Sequence, residues 1–286
     1  MKLKISFIIA GGLSTLFLAQ VMSSCSSAKH QPQTSASTST AKEEGPWKGK
    51  KASVVLTYDD ALNVHLDHAA PALDSLGLKG TFYLSGYSGN IDTRQEAWRA
   101  VVRKGHELGN HTLYHPCAGG TPGREFVRWD YDLRNYTLTR LVNEVRMTNT
   151  LLKAFDNKTQ RTFAYPCSDT KLGDTAYIDP LRKDFTGARA VRSYMPTLND
   201  VDLYYIPSYM INGQTAEEMI ALVEQAIAGN KLLVFLFHGV GGEHGLNVSL
   251  EAHSKLLKYL KQKESDLWIA PMTEVATYIK DKKSSK

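Results

Sequence analysis

The sequence predicts an α/β domain of parallel strands with helices packed outside them, as either a barrel or an open sheet. Two observations carry this. Short apolar, β-branched runs alternate with amphipathic stretches over residues 53–281, with no internal repeat, which is the pattern of strand–helix–strand crossovers. Hydrophobic residues make up 42% and charged residues 22% of 286, enough apolar surface for one sizeable core and too much for a disordered chain. Three cysteines exclude a disulfide-dense scaffold. A net charge of +5 with no long run of like charge excludes a nucleic-acid-binding arm.

The elements follow in order. Ser53–Thr57 (SVVLT) reads as a buried strand. Asn63–Leu76 reads as a helix entered at Asn63 and ended by Gly77. Lys79–Leu84 is a second strand, Arg94–Lys104 a helix closed by Gly105, and His106–Asn110 a short extended piece. Thr139–Phe155 is the most periodic helix, with Leu141, Val142, Val145, Leu151 and Leu152 mostly on one face. Arg161–Tyr165 and Ala188–Arg192 are strands. Thr215 caps a helix over 215–228 that carries Glu217 and Glu218 in its first turn. Lys231–Phe237 is the most hydrophobic strand, and helix 250–263, strand 267–270 and helix 273–280 close the domain.

The N-terminal end is read separately. Lys2 and Lys4, the apolar run 5–21 and the small residues leading to Cys25 lay out a signal peptide over 1–24. Gly11, Gly12, Ser14 and Thr15 break the run too often for a membrane span. Val21-Met22-Ser23-Ser24-Cys25 resembles a bacterial lipoprotein box, which makes Cys25 the lipid-modified first residue; a soluble export signal with an incidental cysteine is the competing reading. Residues 25–46 are a Ser/Thr-rich flexible tether, and 47–282 form the folded domain.

Four strand ends carry the chemistry, as expected where parallel strands present their carboxyl ends to a site. The first strand ends in Thr57-Tyr58-Asp59-Asp60-Ala61. Neighbouring side chains on a strand face opposite ways, so both carboxylates serve one site only where the strand breaks into its loop. The competing reading is an Asp pair capping a turn. Asn110-His111-Thr112-Leu113-Tyr114-His115-Pro116 places two histidines four apart, which puts both imidazoles on one face of a helical turn and suits two nitrogen ligands on a divalent metal. The third strand end is Ala164-Tyr165-Pro166-Cys167. In the fourth, Leu236 and His238 share one side of a strand turned by Gly239, so an apolar patch lies beside a general acid. A core leucine and a capping histidine are the alternative.

These four motifs, in this order on an alternating chain, resemble the polysaccharide deacetylase family (carbohydrate esterase family four). The resemblance implies a distorted (β/α) barrel with about seven parallel strands, and metal-dependent hydrolysis of acetyl groups from an N- or O-acetylated oligo- or polysaccharide. It implies Asp60, His111 and His115 as metal ligands, Asp59 as the base acting on a metal-activated water, and His238 as the acid. Leu236 would line the acetyl pocket with Tyr165 and Pro166 beside it, and a backbone amide near Asp59–Asp60 or Tyr165 would assist the oxyanion. Zinc is the default metal for this donor set, with cobalt, nickel or manganese also fitting. No nucleic acid is involved, the membrane is reached only through the lipid anchor, and the chain is expected to be an exported, envelope-anchored monomer.

The sequence departs from the family pattern twice. The arginine that often stands two residues before the motif-three proline is Ala164 here, with Arg161 nearby. The aspartate that normally positions the acid histidine has no clear counterpart; Asp169, Asp200 and Asp202 are the candidates. Cys117 and Cys167 each follow a site motif, and in an exported domain they are expected to form a disulfide. Two free thiols or an additional soft ligand are the competing readings. His106-Glu107-Leu108-Gly109-Asn110-His111 misses metalloprotease spacing by one residue. Gly239–Gly245 lacks the third glycine of a dinucleotide loop, and there is no nucleophile elbow or phosphate-loop lysine. Tyr87, Trp98, Trp129, Tyr131 and Trp268 are read mainly as core rather than as sugar platforms. A non-catalytic glycan-binding module on the same fold is the alternative to the enzyme.

Overall fold

The computed structural model describes residues 45–285. The export segment, Cys25 and all but the last two residues of the tether lie outside them. In chain order the elements are β1 (Ala52–Asp59), a π turn (His65–Ala69) running into α1 (Ala70–Ser75), β2 (Thr81–Leu84), α2 (Gly89–Thr93), α3 (Gln95–Arg103), β3 (Glu107–Asn110), α4 (Leu138–Asp156) and β4 (Thr162–Ala164). A hairpin of β5 (Lys171–Leu172) and β6 (Thr175–Ala176) follows, then β7 (Gly187–Arg189), β8 (Tyr209–Met210), α5 (Ala216–Ala228) and β9 (Leu232–Phe237). A small pair of β10 (Gly239–Val240) and β11 (Asn247–Val248), then α6 (Leu250–Gln262), β12 (Leu267–Ile269) and α7 (Met272–Ser284), complete the domain. No described helix is long and apolar enough to cross a membrane.

Seven parallel strands follow one another in the order β7-β4-β3-β2-β1-β9-β8, and β12 adds an eighth along the first half of β1. The sheet curls. Ile206, three residues before β8, bridges in parallel to Arg189 of β7 at the other edge, with Ala190 N–H donating to Ile206 O at 2.8 Å and Ile206 N–H to Ala188 O at 2.9 Å. The result is the distorted (β/α) barrel expected from the sequence. β8 is the strand that periodicity missed, because Pro207 interrupts a segment otherwise too short to show alternation.

The two faces of β1 decide where the site sits. Ala52, Val54, Leu56 and Tyr58 belong to the large core under the outer helices, while Val55 packs with Leu232, Val234 and, from α7, Val275, Ala276 and Ile279. By the two-residue period, Asp59 lies on the Val55 side, inside the curl. Helix ends follow the sequence signals: Thr215 and Glu218 form a capping box at α5, and Asn157 ends α4 in the left-handed conformation at φ 54°. Among the expected core aromatics Trp98 is buried, whereas Tyr87 (59%) and Trp129 (77%) are exposed. Those two assignments to the core are corrected: both residues sit in connecting segments outside the sheet rather than under a helix.

Candidate metal centre and active site

Local backbone strain marks the site. Seven of the ten described non-glycine residues at positive φ are Asp60, Ala61, Thr112, His115, Cys167, Ser168 and Glu243, all in loops at the carboxyl ends of strands. Such conformations cost of order 1–3 kcal/mol each and persist where surrounding contacts fix them. After β1 the turn to φ 80° at Asp60 brings the second carboxylate to the same side as the first, which the alternation of a regular strand would forbid. Ser88 Oγ holds this turn by donating to Ala61 O at 3.1 Å, and Asn90 Nδ2 donates to the same carbonyl.

Asp60, His111 and His115 place one ligand atom each within 4.8 Å of one another. Asp60 Oδ1 lies 3.5 Å from His111 Nε2 and 3.4 Å from His115 Nε2. The two histidines do not share a helical turn, which corrects the sequence argument. Residues 111–116 form an irregular loop in which Thr112 at φ 63° and His115 at φ 52° fold the backbone back, and Thr112 Oγ1 accepts from His115 N–H at 2.9 Å. The rings meet at 4.7 Å, edge to face.

The donor chemistry fits a cation. His111 Nδ1–H donates to Ala164 O at 2.8 Å, so Nε2 carries the lone pair that faces Asp60 Oδ1. Burial holds His111 well below its usual pKa, and the neighbouring His115 adds to this; the ring is neutral. Burial pushes the Asp60 carboxyl up, but His115, His111 and His238 together outweigh it and hold Asp60 below the usual carboxylate range. Two acceptors therefore face each other with no proton between them, an arrangement that a divalent cation resolves.

Asp59 is buried, and one oxygen, Oδ2, accepts from the equally buried Arg189 Nη2. Oδ1 is buried with no protein hydrogen-bond partner, in a carboxylate that lines the cavity. Arg189 was not a sequence candidate. It ends β7, donates to Ser208 Oγ at 3.3 Å, and its guanidinium carbon lies 5.1 Å from the centre of the Tyr83 ring. Gly109 makes room for that ring: a Cβ there would meet Tyr83 ring carbons at 2.4 Å. Arg161 does something else, pairing with buried Asp156 at 3.1 Å and Leu108 O at 2.9 Å.

His238 lies across the carboxylate, its Nε2 3.8 Å from Asp60 Oδ2. Burial lowers its pKa from the usual histidine value, and its Nδ1 has no partner. None of the three candidate aspartates reaches it. Asp169 is paired with Arg124 at 2.8 Å, Asp200 accepts from Thr197 Oγ1 at 2.5 Å, and Asp202 caps Tyr204 N–H at 2.9 Å. What fixes His238 is its backbone. Leu62 N–H donates to His65 Nδ1 at 3.2 Å, so His65 Nε2–H donates to His238 O at 2.8 Å. Gly239 must follow, because a Cβ there would lie 2.4 Å from Gly242 O.

A cavity of about 630 Å³ opens over these groups, with Tyr165 and Leu236 in its wall. Pro166 is not part of that wall, a correction: it turns the chain in a short 3-10 segment, Pro166–Ser168. Tyr165 N–H is spent on Arg189 O at 3.2 Å and so does not serve an oxyanion. Cys117 and Cys167 are joined by a disulfide that ties the His115 loop to the loop after β4. His115 Nδ1 is 3.5 Å from Cys117 Sγ. His244, read from sequence only as part of a failed dinucleotide loop, also lines the cavity.

The structure is thus a (β/α) barrel with a converging Asp60/His111/His115 cluster beside a buried Asp–Arg pair. Residues 47–177 match the family model for polysaccharide deacetylase. The structure is similar to that of a Mycobacterium smegmatis protein classed as a polysaccharide deacetylase (TM-score 0.60, 15% identity, 82% of this chain and 92% of the other). It is also similar to a family 4 acetyl xylan esterase from Clostridium thermocellum in complex with a cobalt ion (0.50, 22%, 78% and 90%). A third likeness is to the peptidoglycan N-acetylglucosamine deacetylase Bc1960 (0.54, 18%, 80% and 89%). The family model covers 131 of the 286 residues, and the structural likenesses show a shared fold.

Proposed function

We propose that the chain is a divalent-metal-dependent hydrolase that removes acetyl groups from an N- or O-acetylated oligo- or polysaccharide. The observation that carries this is the convergence of Asp60 Oδ1 and the His111 and His115 Nε2 atoms within 4.8 Å, beside a carboxylate with one oxygen free. Asp60, His111 and His115 would hold the cation; zinc, cobalt, nickel or manganese suits the donors. When bound, the cation polarises the acetyl carbonyl and makes water more acidic. Asp59 Oδ1 takes the proton of the attacking water while Arg189 keeps the other oxygen engaged, so the base is held in one orientation. His238 Nε2 delivers a proton to the departing nitrogen or oxygen. Leu236 and Tyr165 exclude water around the acyl methyl.

The test is acetate release from chitin oligomers and from acetylated xylan by the chain loaded with zinc or cobalt. Release by the wild type, with a loss of roughly 100-fold or more in Asp59→Asn, supports the reading. No acetate from either substrate by metal-loaded protein overturns it in favour of a glycan-binding module. We propose further that the chain is exported and lipid-anchored at Cys25, as the Val21–Cys25 segment supports. A Cys25→Ser variant should then leave the detergent phase for the aqueous phase; unchanged partitioning removes the anchor.

A further inference from the structure

The proposed chemistry gives no task to His244, although its ring stacks on His238 at 4.7 Å and 13°. Its Nε2 lies 4.0 Å from Asp60 Oδ2, next to His238 Nε2 at 3.8 Å from the same oxygen. Its tautomer follows from the backbone. Leu246 N–H points at His244 Nδ1 at 3.0 Å, and a backbone amide only donates, so Nδ1 accepts and the ring proton sits on Nε2. The alternative acceptor for a proton on Nδ1, Leu246 O at 3.3 Å, already receives Gly239 N–H at 2.9 Å. With its proton on Nε2, His244 has no lone pair there to give a metal. With Nδ1 occupied, it cannot pass a proton through the ring. What remains is a fixed N–H donor beside the reacting groups.

The loop that carries it is tied down on both sides. The Glu243 carboxylate accepts Val64 N–H at 2.7 Å and Asn63 Nδ2 at 2.8 Å, and Asn247 Oδ1 accepts Gly242 N–H at 2.9 Å. Two other polar groups of the cavity wall are already engaged, Arg124 holding Asp169 at 2.8 Å and the Tyr165 hydroxyl donating to Tyr204 O at 2.7 Å, while Ser168 offers a freely rotating hydroxyl with no fixed direction. Phe126, 63% exposed, together with Met210 and Leu246, makes the wall apolar. An apolar wall with one oriented donor matches a pyranose ring, which presents C–H faces and hydroxyl acceptors.

We propose that His244 Nε2–H donates to a ring hydroxyl next to the acetylated atom, making it the residue that reads the sugar rather than the acyl group. This rests on the deacetylase reading for the identity of the substrate. The experiment uses the full, metal-loaded chain with His244→Phe and His244→Gln, assayed on an acetylated oligosaccharide and on an aryl acetate that has no sugar. Expected are an approximately tenfold rise in KM for the oligosaccharide with His244→Phe, a loss at least tenfold smaller on the aryl acetate, unchanged metal content, and recovery in His244→Gln. Equal losses on both substrates, loss of the metal, or an unchanged KM would each overturn it. If the wild type releases no acetate, the deacetylase reading fails by itself, and His244 is judged by calorimetric affinity for the deacetylated oligosaccharide. An approximately tenfold weakening in His244→Phe then sustains the proposal, and equal affinity ends it.

Discussion

Replacing Arg189 by Met removes the counter-charge of a carboxylate that has almost no access to water. The Arg189 and Asp59 side chains are 0% and 4% exposed, so solvent screening is slight. Two unit charges about 4 Å apart at an effective dielectric of 20 attract by about 4 kcal/mol, in line with the 3–5 kcal/mol typically lost when one partner of a buried pair is deleted. For a domain of this size that is a fall in Tm of about 6–20 °C. Asp59→Asn strands the guanidinium instead. The double variant Asp59→Asn/Arg189→Met should therefore lose less than the sum of the singles, by about 2 kcal/mol or more, measured by urea unfolding of all four proteins. The surviving Asp59 of Arg189→Met is a freed base, so its acetate release should also drop, roughly 100-fold. Additive effects within about 0.5 kcal/mol would show that the two groups do not act as a unit, and the account of how the base is held would be wrong.

Two further outcomes follow from buried groups. His253, bonded to Tyr58 Oη at 2.8 Å, is lowered by burial to a pKa of about 3, and His65 likewise to about 4. The unfolded chain takes up these protons near pH 6.5 while the folded one does not. Stability is thus complete above about pH 6.5 and falls as pH drops toward 4 and 3, by about 1.4 kcal/mol per pH unit for each histidine. His253→Gln should make the decline between pH 6 and 4.5 shallower by one proton; an unchanged slope contradicts this. The Cys117–Cys167 bridge closes a 50-residue separation, worth about 4 kcal/mol on the chain-entropy scale. Reduction should lower Tm by roughly 10 °C, and a Tm that does not respond to reductant would deny the bridge that weight.

Much of the site was legible because its chemistry is local in sequence. Asp59 and Asp60 end an apolar strand, and the pair His111 and His115 ends another, so topology alone brings them to one rim. The two histidines do come together at Asp60, but not by the helical spacing assumed: two left-handed residues fold an irregular loop. Arg189 could not be read. It stands 130 residues from the carboxylate it holds, on the short strand β7, and only closure of the sheet through Ile206 brings it across. His244 was hidden for the opposite reason, because a glycine-rich loop after a strand offers no periodicity to place its side chains. None of the three aspartates sought as partner for His238 reaches it in the described structure; a backbone bond from His65 fixes it instead. Hydrophobic patterning located the strands and helices well, since their apolar faces are what the core requires.

The most direct test is to locate the cation. Crystals of the chain grown with cobalt, measured at the cobalt absorption edge, should give one anomalous peak in contact with Asp60 Oδ1, His111 Nε2 and His115 Nε2, and that peak should be absent from Asp60→Ala. A peak held by other residues, or none at millimolar cobalt, would contradict the account.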